Sequence, residues 1–239
     1  MPMTATEPMT IDRNYYDRSY YAKHLSRLAK NDRFTRVKIR RILSLLLPRK
    51  NELIHDLGSG VGTIMIALTQ AGITALGLDY SWKSLVLARE NFRTDSPGSP
   101  FRGICCDGRS ICLKENSLDG IAAVDFTEHL DDAFLAATLS EAYRILKKGG
   151  RLALYTPSVT HLFEKLKKHN ILLKEDVSHI GLRSMQDYLM VLRKTGFSTS
   201  EFYFEPTHIP LFNLLEMLVM HAPMIGGLAK RRICIRAVK

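Results

Sequence analysis

Three glycines at alternate positions, in the stretch His55-Asp56-Leu57-Gly58-Ser59-Gly60-Val61-Gly62-Thr63, constrain the fold of this chain more than any other feature. An apolar run enters from Leu53, and an apolar helical pattern leaves through Ile64, Ile66, Ala67 and Leu68. Without Cβ atoms such a loop turns sharply and lets a ligand lie against bare main chain. A helix starting at the turn also directs unpaired N–H groups at whatever sits in the loop. The nicotinamide fingerprint Gly-x-Gly-x-x-Gly would need a glycine where Thr63 stands, so the loop departs from that pattern.

The rest of the chain punctuates itself around this loop. Apolar residues recur at helical spacing from about Asn31 to Leu47, where Pro48 ends the pattern. Short apolar strands are expected at Leu53–Leu57, Thr74–Asp79, Phe101–Cys106, Leu118–Val124 and Arg151–Thr156. Helices are expected from the glycine loop to about Ala71, over Trp82–Phe92 and over Leu130–Leu146. Strands of five or six residues alternating with helices imply a parallel sheet covered on both faces, with ligands beyond the carboxyl ends of the strands. Asp79, Asp107 and Asp125 fall at such ends beside the glycine loop. Asp79 lies 21 positions beyond Gly58, about where a carboxylate accepts both ribose hydroxyls of a nucleoside. Asp107, followed by Gly108, could accept from an adenine amino group, the lesser alternative for either acid alone being a helix N-cap.

Composition narrows the class. At 239 residues and 46% hydrophobic content the chain suits one large domain or a domain with an inserted cap. No apolar run reaches the length of a membrane span, and Met1 to Asp12 does not read as a signal peptide. The four cysteines lack zinc or disulfide spacing, so reduced thiols and a cytoplasmic location are expected. The net charge of +10 is concentrated between Arg13 and Lys50, where twelve Lys/Arg face two acids. Such a face could meet nucleic acid, an anionic membrane or an acidic partner, or be a solvated helix surface.

The succession HDLGSGVGT, LGLDYS, CDG, LDGIAAVDFTEHL and LKKGGRLALYTP resembles the type 11 methyltransferases of the class I S-adenosylmethionine-dependent superfamily, from about Ile42 to Pro157 with a weaker tail to Phe197. The resemblance implies an α/β, Rossmann-like doubly wound seven-stranded sheet with helices on both faces. It would be mostly parallel with an antiparallel last strand, Phe197–Phe204 and Arg232–Val238 forming an edge hairpin. An N-terminal helical lid over residues 1–30 and a methyltransferase domain over 31–239 are expected, with acceptor-side insertions at 158–180 and 205–231, the second an inserted apolar helix near the C-terminus.

The resemblance also assigns residues. Asp56, Gly58, Ser59 and Gly60 would face the methionine end of S-adenosylmethionine, and Val124 would contact the same part. Asp79 with Tyr80 would hold the ribose, and Asp107 with Gly108 would approach adenine, S-adenosylhomocysteine being the product left in place. Arg36 and Tyr15 or Tyr16 are candidates to close over the cofactor. His55 and Ser59 replace the usual aliphatic residue and the common cysteine.

Methyl transfer from a sulfonium needs alignment and exclusion of water, and a hydroxyl or acidic carbon acceptor also needs a base or a metal. His129, His161 and His179 are the candidate bases. Asp125-Phe126-Thr127-Glu128-His129 is also similar to the Glu-x-x-Glu-His run of the ubiquinone-biosynthesis O-methyltransferases. Asp125, Glu128 and His129 are therefore the candidate ligands of a divalent metal, although Glu-His at this point is widespread in type 11 members that use none. The run Leu211–Met220 is apolar almost all round. It could wall a pocket for an isoprenoid or acyl chain, lie at a membrane interface as a peripheral contact, or pack on the sheet or in a homodimer.

The leading expectation is methyl transfer to oxygen or carbon of an apolar small-molecule or lipid-like acceptor. Two alternatives stand beside it: methylation of RNA or protein through the basic face, and a catalytically silent cofactor-binding partner. The run Asp125-Phe126-Thr127-Glu128 lacks the Asn/Asp-Pro-Pro-aromatic pattern of amino-directed nucleic-acid enzymes, which counts against a nucleic-acid substrate.

Overall fold

The computed structural model describes residue 12 and residues 15–168, 177–223 and 225–239. The first eleven residues of the expected lid and residues 169–176 of the first insertion lie outside the described residues. A seven-stranded sheet runs in the order β3-β2-β1-β4-β5-β7-β6. Its strands are β1 (Leu53–Leu57), β2 (Thr74–Asp79), β3 (Gly103–Cys105), β4 (Leu118–Val124), β5 (Leu146–Pro157), β6 (Ser198–Glu205) and β7 (Arg232–Val238). The first five pair in parallel, and β7 is antiparallel to both β5 and β6. The sheet order reverses between β1 and β4, which places a crevice beyond the carboxyl ends of those two strands.

Strand alternation divides the core into two layers. Leu152 and Leu154 of β5 face one side, where α5 (Asp132–Ile145) and α7 (Met185–Thr195) bury Leu135, Leu139, Tyr188 and Leu192. Ala153 and Tyr155 face the other, where α2 (Arg33–Leu46), α3 (Thr63–Gln70) and α4 (Trp82–Asp95) bury Leu45, Leu46, Met65, Leu68 and Phe92. The helix starts are capped as their residues demand. Asp32 accepts from the Thr35 N–H at 2.8 Å, Asp131 accepts from the Phe134 N–H at 2.7 Å, and Ser184 with Asp187 forms a capping box. Leu47, in the left-handed region at φ 46°, closes α2 just before Pro48.

Two strands differ from the sequence expectation. β3 keeps only Gly103–Cys105, although its flanks still bond to β2, the Gly77 N–H to the Arg102 carbonyl at 2.9 Å and the Cys106 N–H to the Asp79 carbonyl at 3.2 Å. β5 starts at Leu146 rather than Arg151, since Leu146 pairs with Leu118 and the Gly149 N–H is met by the Lys239 carbonyl at 2.9 Å. At the N-terminus a turn rich in tyrosine leads into α1 (Ala22–Ala29). Between β5 and α7 lies α6 (Leu162–Lys168), and between β6 and β7 lies α8 (Pro210–Val219). Among the described residues no helix is long and apolar enough to cross a membrane.

Candidate functional site

The glycine loop is closed by local geometry. The N–H groups of Gly58 and Ser59 both donate to the Leu78 carbonyl at 2.9 Å, tying the end of β1 to the end of β2. Gly58 and Gly60 take φ +74° and +49°, conformations that L side chains rarely adopt. A Cβ on Gly58 would also stand 2.3 Å from the Phe126 ring. Gly60 donates its N–H to Asp79 Oδ2 at 2.9 Å, and Ser81 donates to Asp79 Oδ1 at 2.9 Å. Burial raises the Asp79 carboxyl to about 6, and burial likewise raises Asp56 to about 7.

A cavity of about 330 Å³ opens at this loop. Its wall on the loop side includes Asp56, Gly58, Ser59, Gly60, Asp79, Tyr80, Gly108 and Val124. Asp56 Oδ2 and the Ser59 hydroxyl are buried there without a hydrogen-bond partner among the described residues. Buried polar atoms ordinarily find partners, so both are candidates to meet polar groups of a ligand. The N-terminal turn covers the opening. Tyr16 is buried and its carbonyl accepts from the Ser81 hydroxyl at 3.4 Å, while the Tyr21 and Ser84 hydroxyls meet at 3.2 Å.

Three expected site residues lie elsewhere. Arg36 is exposed, donates to the Asn31 carbonyl and does not line the cavity; Lys38 of the same helix does. Asp107 is engaged by Arg109, whose guanidinium approaches to 2.7 Å, and only its neighbours Cys106 and Gly108 reach the wall. His161 is buried against Glu216 of α8, its Nε2 3.0 Å from the carboxylate, outside the cavity lining. Tyr15 is exposed, whereas Tyr16 lines the cavity.

The remaining lining is aromatic and ionic. Tyr16, Tyr20, Tyr21, Phe126 and Phe134 line it, together with Glu128, His129 and His179. His129 Nδ1 lies 3.0 Å from the Ser178 carbonyl. A carbonyl only accepts, so this contact places the imidazole proton on Nδ1 and the lone pair on Nε2. Glu128 is buried and accepts from the Thr156 hydroxyl at 2.9 Å; burial, aided by the Asp125 charge, raises it to about 7.

Asp125 is not available to a metal. It takes φ +49° at the end of β4, accepts from Lys38 Nζ at 3.1 Å and from the Arg232 guanidinium. Burial alone would raise its pKa, but Arg232 and Lys38 hold it below the usual carboxylate range. The trio that could hold a divalent cation is instead Glu128, His129 and His179, whose ligand atoms lie within 4.8 Å of one another. Lys38 and Arg232 are the site residues that sequence reading missed. Arg232 sits 107 positions from Asp125, and nothing in its local pattern separates it from other cations of a strand end.

A doubly wound sheet with a glycine loop at its switch point and an acid ending the next strand defines a Rossmann-like nucleotide-binding fold. The antiparallel β7 beside β6 is the edge hairpin that the methyltransferase resemblance implies. Residues 55–154 match the family model for a methyltransferase domain. The rice (Oryza sativa subsp. japonica) 24-methylenesterol C-methyltransferase 2 is 25% identical over 171 residues, 68% of this chain and 46% of its own length. The chain thus spans less than half of that relative. The fold is similar to a SAM-dependent methyltransferase from Archaeoglobus fulgidus, with TM-score 0.68 at 18% identity, covering 92% of this chain and 100% of that one. It is also similar to geranyl diphosphate C-methyltransferase from Streptomyces coelicolor, with TM-score 0.62 at 15% identity, covering 84% and 79%.

The residues present fit S-adenosylmethionine. The Asp56 and Ser59 side chains would offer polar atoms to it, the bare backbone of Gly58 and Gly60 would admit close approach, and the Asp79 carboxylate, oriented by the Gly60 and Ser81 N–H groups, lines the same cavity.

Proposed function

We propose that the chain transfers a methyl group from S-adenosylmethionine to an oxygen or carbon of an apolar small-molecule or lipid-like acceptor. The observation that carries this reading is the single cavity running from the glycine loop and Asp79 to the aromatic wall of Tyr16, Tyr20, Phe126 and Phe134. Cofactor and acceptor would share one room, screened from water by the N-terminal tyrosines. The sterol and geranyl diphosphate acceptors named for the two C-methyltransferases above are compatible with an apolar acceptor here.

The bound cofactor supplies an activated methyl carbon. Asp79, Asp56 and Ser59 would fix its position, so that the reacting atoms meet in line. His129, whose ring is oriented by the Ser178 carbonyl, would take the proton of an acceptor hydroxyl or acidic carbon at Nε2. His179, in edge contact with it at 5.1 Å between ring centroids, would hold the ring from the far side. His161, whose Nε2 meets Glu216 of α8, would serve as a structural residue rather than as a base. Residues up to about 30 would act as the lid, a reading supported by Tyr16, Tyr20, Tyr21 and His24 in the cavity wall.

Calorimetric titration of S-adenosylhomocysteine into the wild type and Asp79→Ala tests the cofactor half. Binding by the wild type and its loss in the variant are expected. A folded wild type that binds nothing would remove the assignment. Assays with radiolabelled methyl donor against prenyl, sterol and phenol acceptors then test the acceptor half, and transfer only to RNA or protein would overturn it.

A further inference from the structure

α8 is built inside out for a helix that faces water. Glu216 is its one buried residue, and Asn213, one turn earlier on the same stripe, is half-buried. The Glu216 carboxylate accepts from His161 Nε2–H at 3.0 Å and from the Thr207 N–H, and the Asn213 amide donates to the Thr207 carbonyl at 2.7 Å. The His161 tautomer is consistent, because its Nδ1 accepts from the Phe163 N–H at 3.2 Å. These bonds hold the polar stripe inward and force Leu211, Phe212, Leu214, Leu215, Met217 and Leu218 outward, with Leu211 and Leu218 78% and 72% exposed. Turning the helix to hide them would strip a buried carboxylate of its donors.

The exposed apolar face is continuous with its neighbours. Phe212 meets Phe163 of α6 at 6.3 Å between centroids, and exposed Leu162 and Val159 flank that contact. Exposed Ile209 and Ile225 extend the face at either end of α8. Such a patch marks an interaction site rather than a solvated surface.

Charge identifies the occupant. Between 206 and 231 the only acid is Glu216, which is buried, while Lys230 and Arg231 border the patch. Exposed Lys165 adds a cation on α6. At the other end His208 stacks on Phe34 at 4.8 Å, and Phe34 carries the Arg27 guanidinium at 4.5 Å, so the basic N-terminal helices adjoin α8. Lys23, Lys30 and Arg33 on those helices are exposed. Among the described residues, an outward face without hydrogen-bonding side chains, bordered by cations and free of exposed acid, matches an anionic bilayer surface, where apolar insertion and headgroup attraction add. A protein partner would ordinarily be met by aromatic residues and a polar rim.

We propose that this chain docks reversibly on anionic membranes through the outer face of α8 and the adjoining Val159–Leu162 turn, with the basic N-terminal helices against the headgroups. Because Glu164 and Lys167 of α6 line the cavity, docking sets the cavity beside the lipid. The proposal goes beyond the acceptor reading and would stand even for a soluble acceptor.

The test is co-sedimentation of the full chain with vesicles of phosphatidylcholine alone and of equal parts phosphatidylcholine and phosphatidylglycerol. Partition onto the mixed vesicles is expected, weaker at high salt, and reduced about tenfold or more by Leu215→Glu with Leu218→Glu. Met190→Glu, which charges an exposed apolar residue of α7, is expected to leave partition unchanged. Melting temperature and S-adenosylhomocysteine titration keep folding and the cofactor site separate from docking. Equal partition of the wild type and the double variant overturns the proposal, as does a wild type that ignores the mixed vesicles. A wild-type dimer that the double variant converts to monomer, without vesicle binding, overturns it too and assigns the face to a second copy.

Discussion

The two walls of the cavity are built on opposite terms. On the glycine-loop side, polar atoms are left without partners: Asp56 Oδ2 and the Ser59 hydroxyl are buried and unmet among the described residues. Around the end of β4 the carboxylates find donors, Asp125 in Lys38 and Arg232 and Glu128 in the Thr156 hydroxyl, although Arg232 Nε and His24 Nδ1 are also unmet among the described residues. The first wall is shaped for a polar ligand of fixed structure. The second pairs its carboxylates with donors and presents rings, which suits the apolar acceptor proposed above. A site can therefore be polar in composition and apolar in the surface it offers.

Disturbing the first wall should give the largest effect. Gly58→Val adds a side chain where a Cβ alone meets the Phe126 ring at 2.3 Å and where φ is +74°. Calorimetry with S-adenosylhomocysteine should find binding weakened about 100-fold or more, with a lower melting temperature. Unchanged affinity would show that the loop does not hold the cofactor.

The second wall should respond in stability instead. Arg232→Met leaves Asp125 with Lys38 alone, and removing one partner of a largely buried ion pair costs about 3 kcal/mol. Denaturant melts should show that loss, and adding Asp125→Asn should recover part of it. Cofactor affinity is expected to hold, and a parallel collapse would erase the distinction between the walls.

A smaller and more selective effect is expected at His129. His129→Gln should slow transfer to a hydroxyl acceptor by about 100-fold, the usual worth of a positioned base, while S-adenosylhomocysteine binding stays level. Loss of binding instead would move His129 to the cofactor wall.

Smallest is a pH effect that belongs to the first wall. Asp79 is raised to about 6 by burial, so it is ionised above that pH and protonated below it. A ligand whose ribose hydroxyls donate to the carboxylate favours the ionised form and lowers its pKa on binding. Affinity should thus be full above pH 6 and fall about tenfold between pH 7 and pH 5. Asp79→Asn should be weaker throughout and flat across that range. For folding the sign is opposite: a raised carboxylate pKa stabilises the ligand-free protein at low pH, a contribution lost as pH rises through about 6.

How legible each wall was follows from the range of its causes. Gly58, Gly60 and Asp79 could be read because each sits where an apolar run stops, and the run and its stop are neighbours in sequence. Arg36 was expected at the cavity and Lys38 found there. Two residues apart on a helix means about 200° of rotation, so only one can face inward, and packing chose. His161 was one of three candidate bases, but α8, folded over it from 55 positions away, claims it for Glu216. Asp107 ended its strand as expected, yet Arg109 occupies its carboxylate.

The sequence by itself determined the doubly wound sheet, the glycine loop and the acid ending β2, because strand length, alternation and glycine's access to positive φ are properties of short segments. Tertiary structure decided which cation meets Asp125, which histidines face the cavity and which side of α8 looks outward. Those choices depend on partners contributed by distant segments, and a buried charge or amide takes whichever donor the completed fold brings within reach.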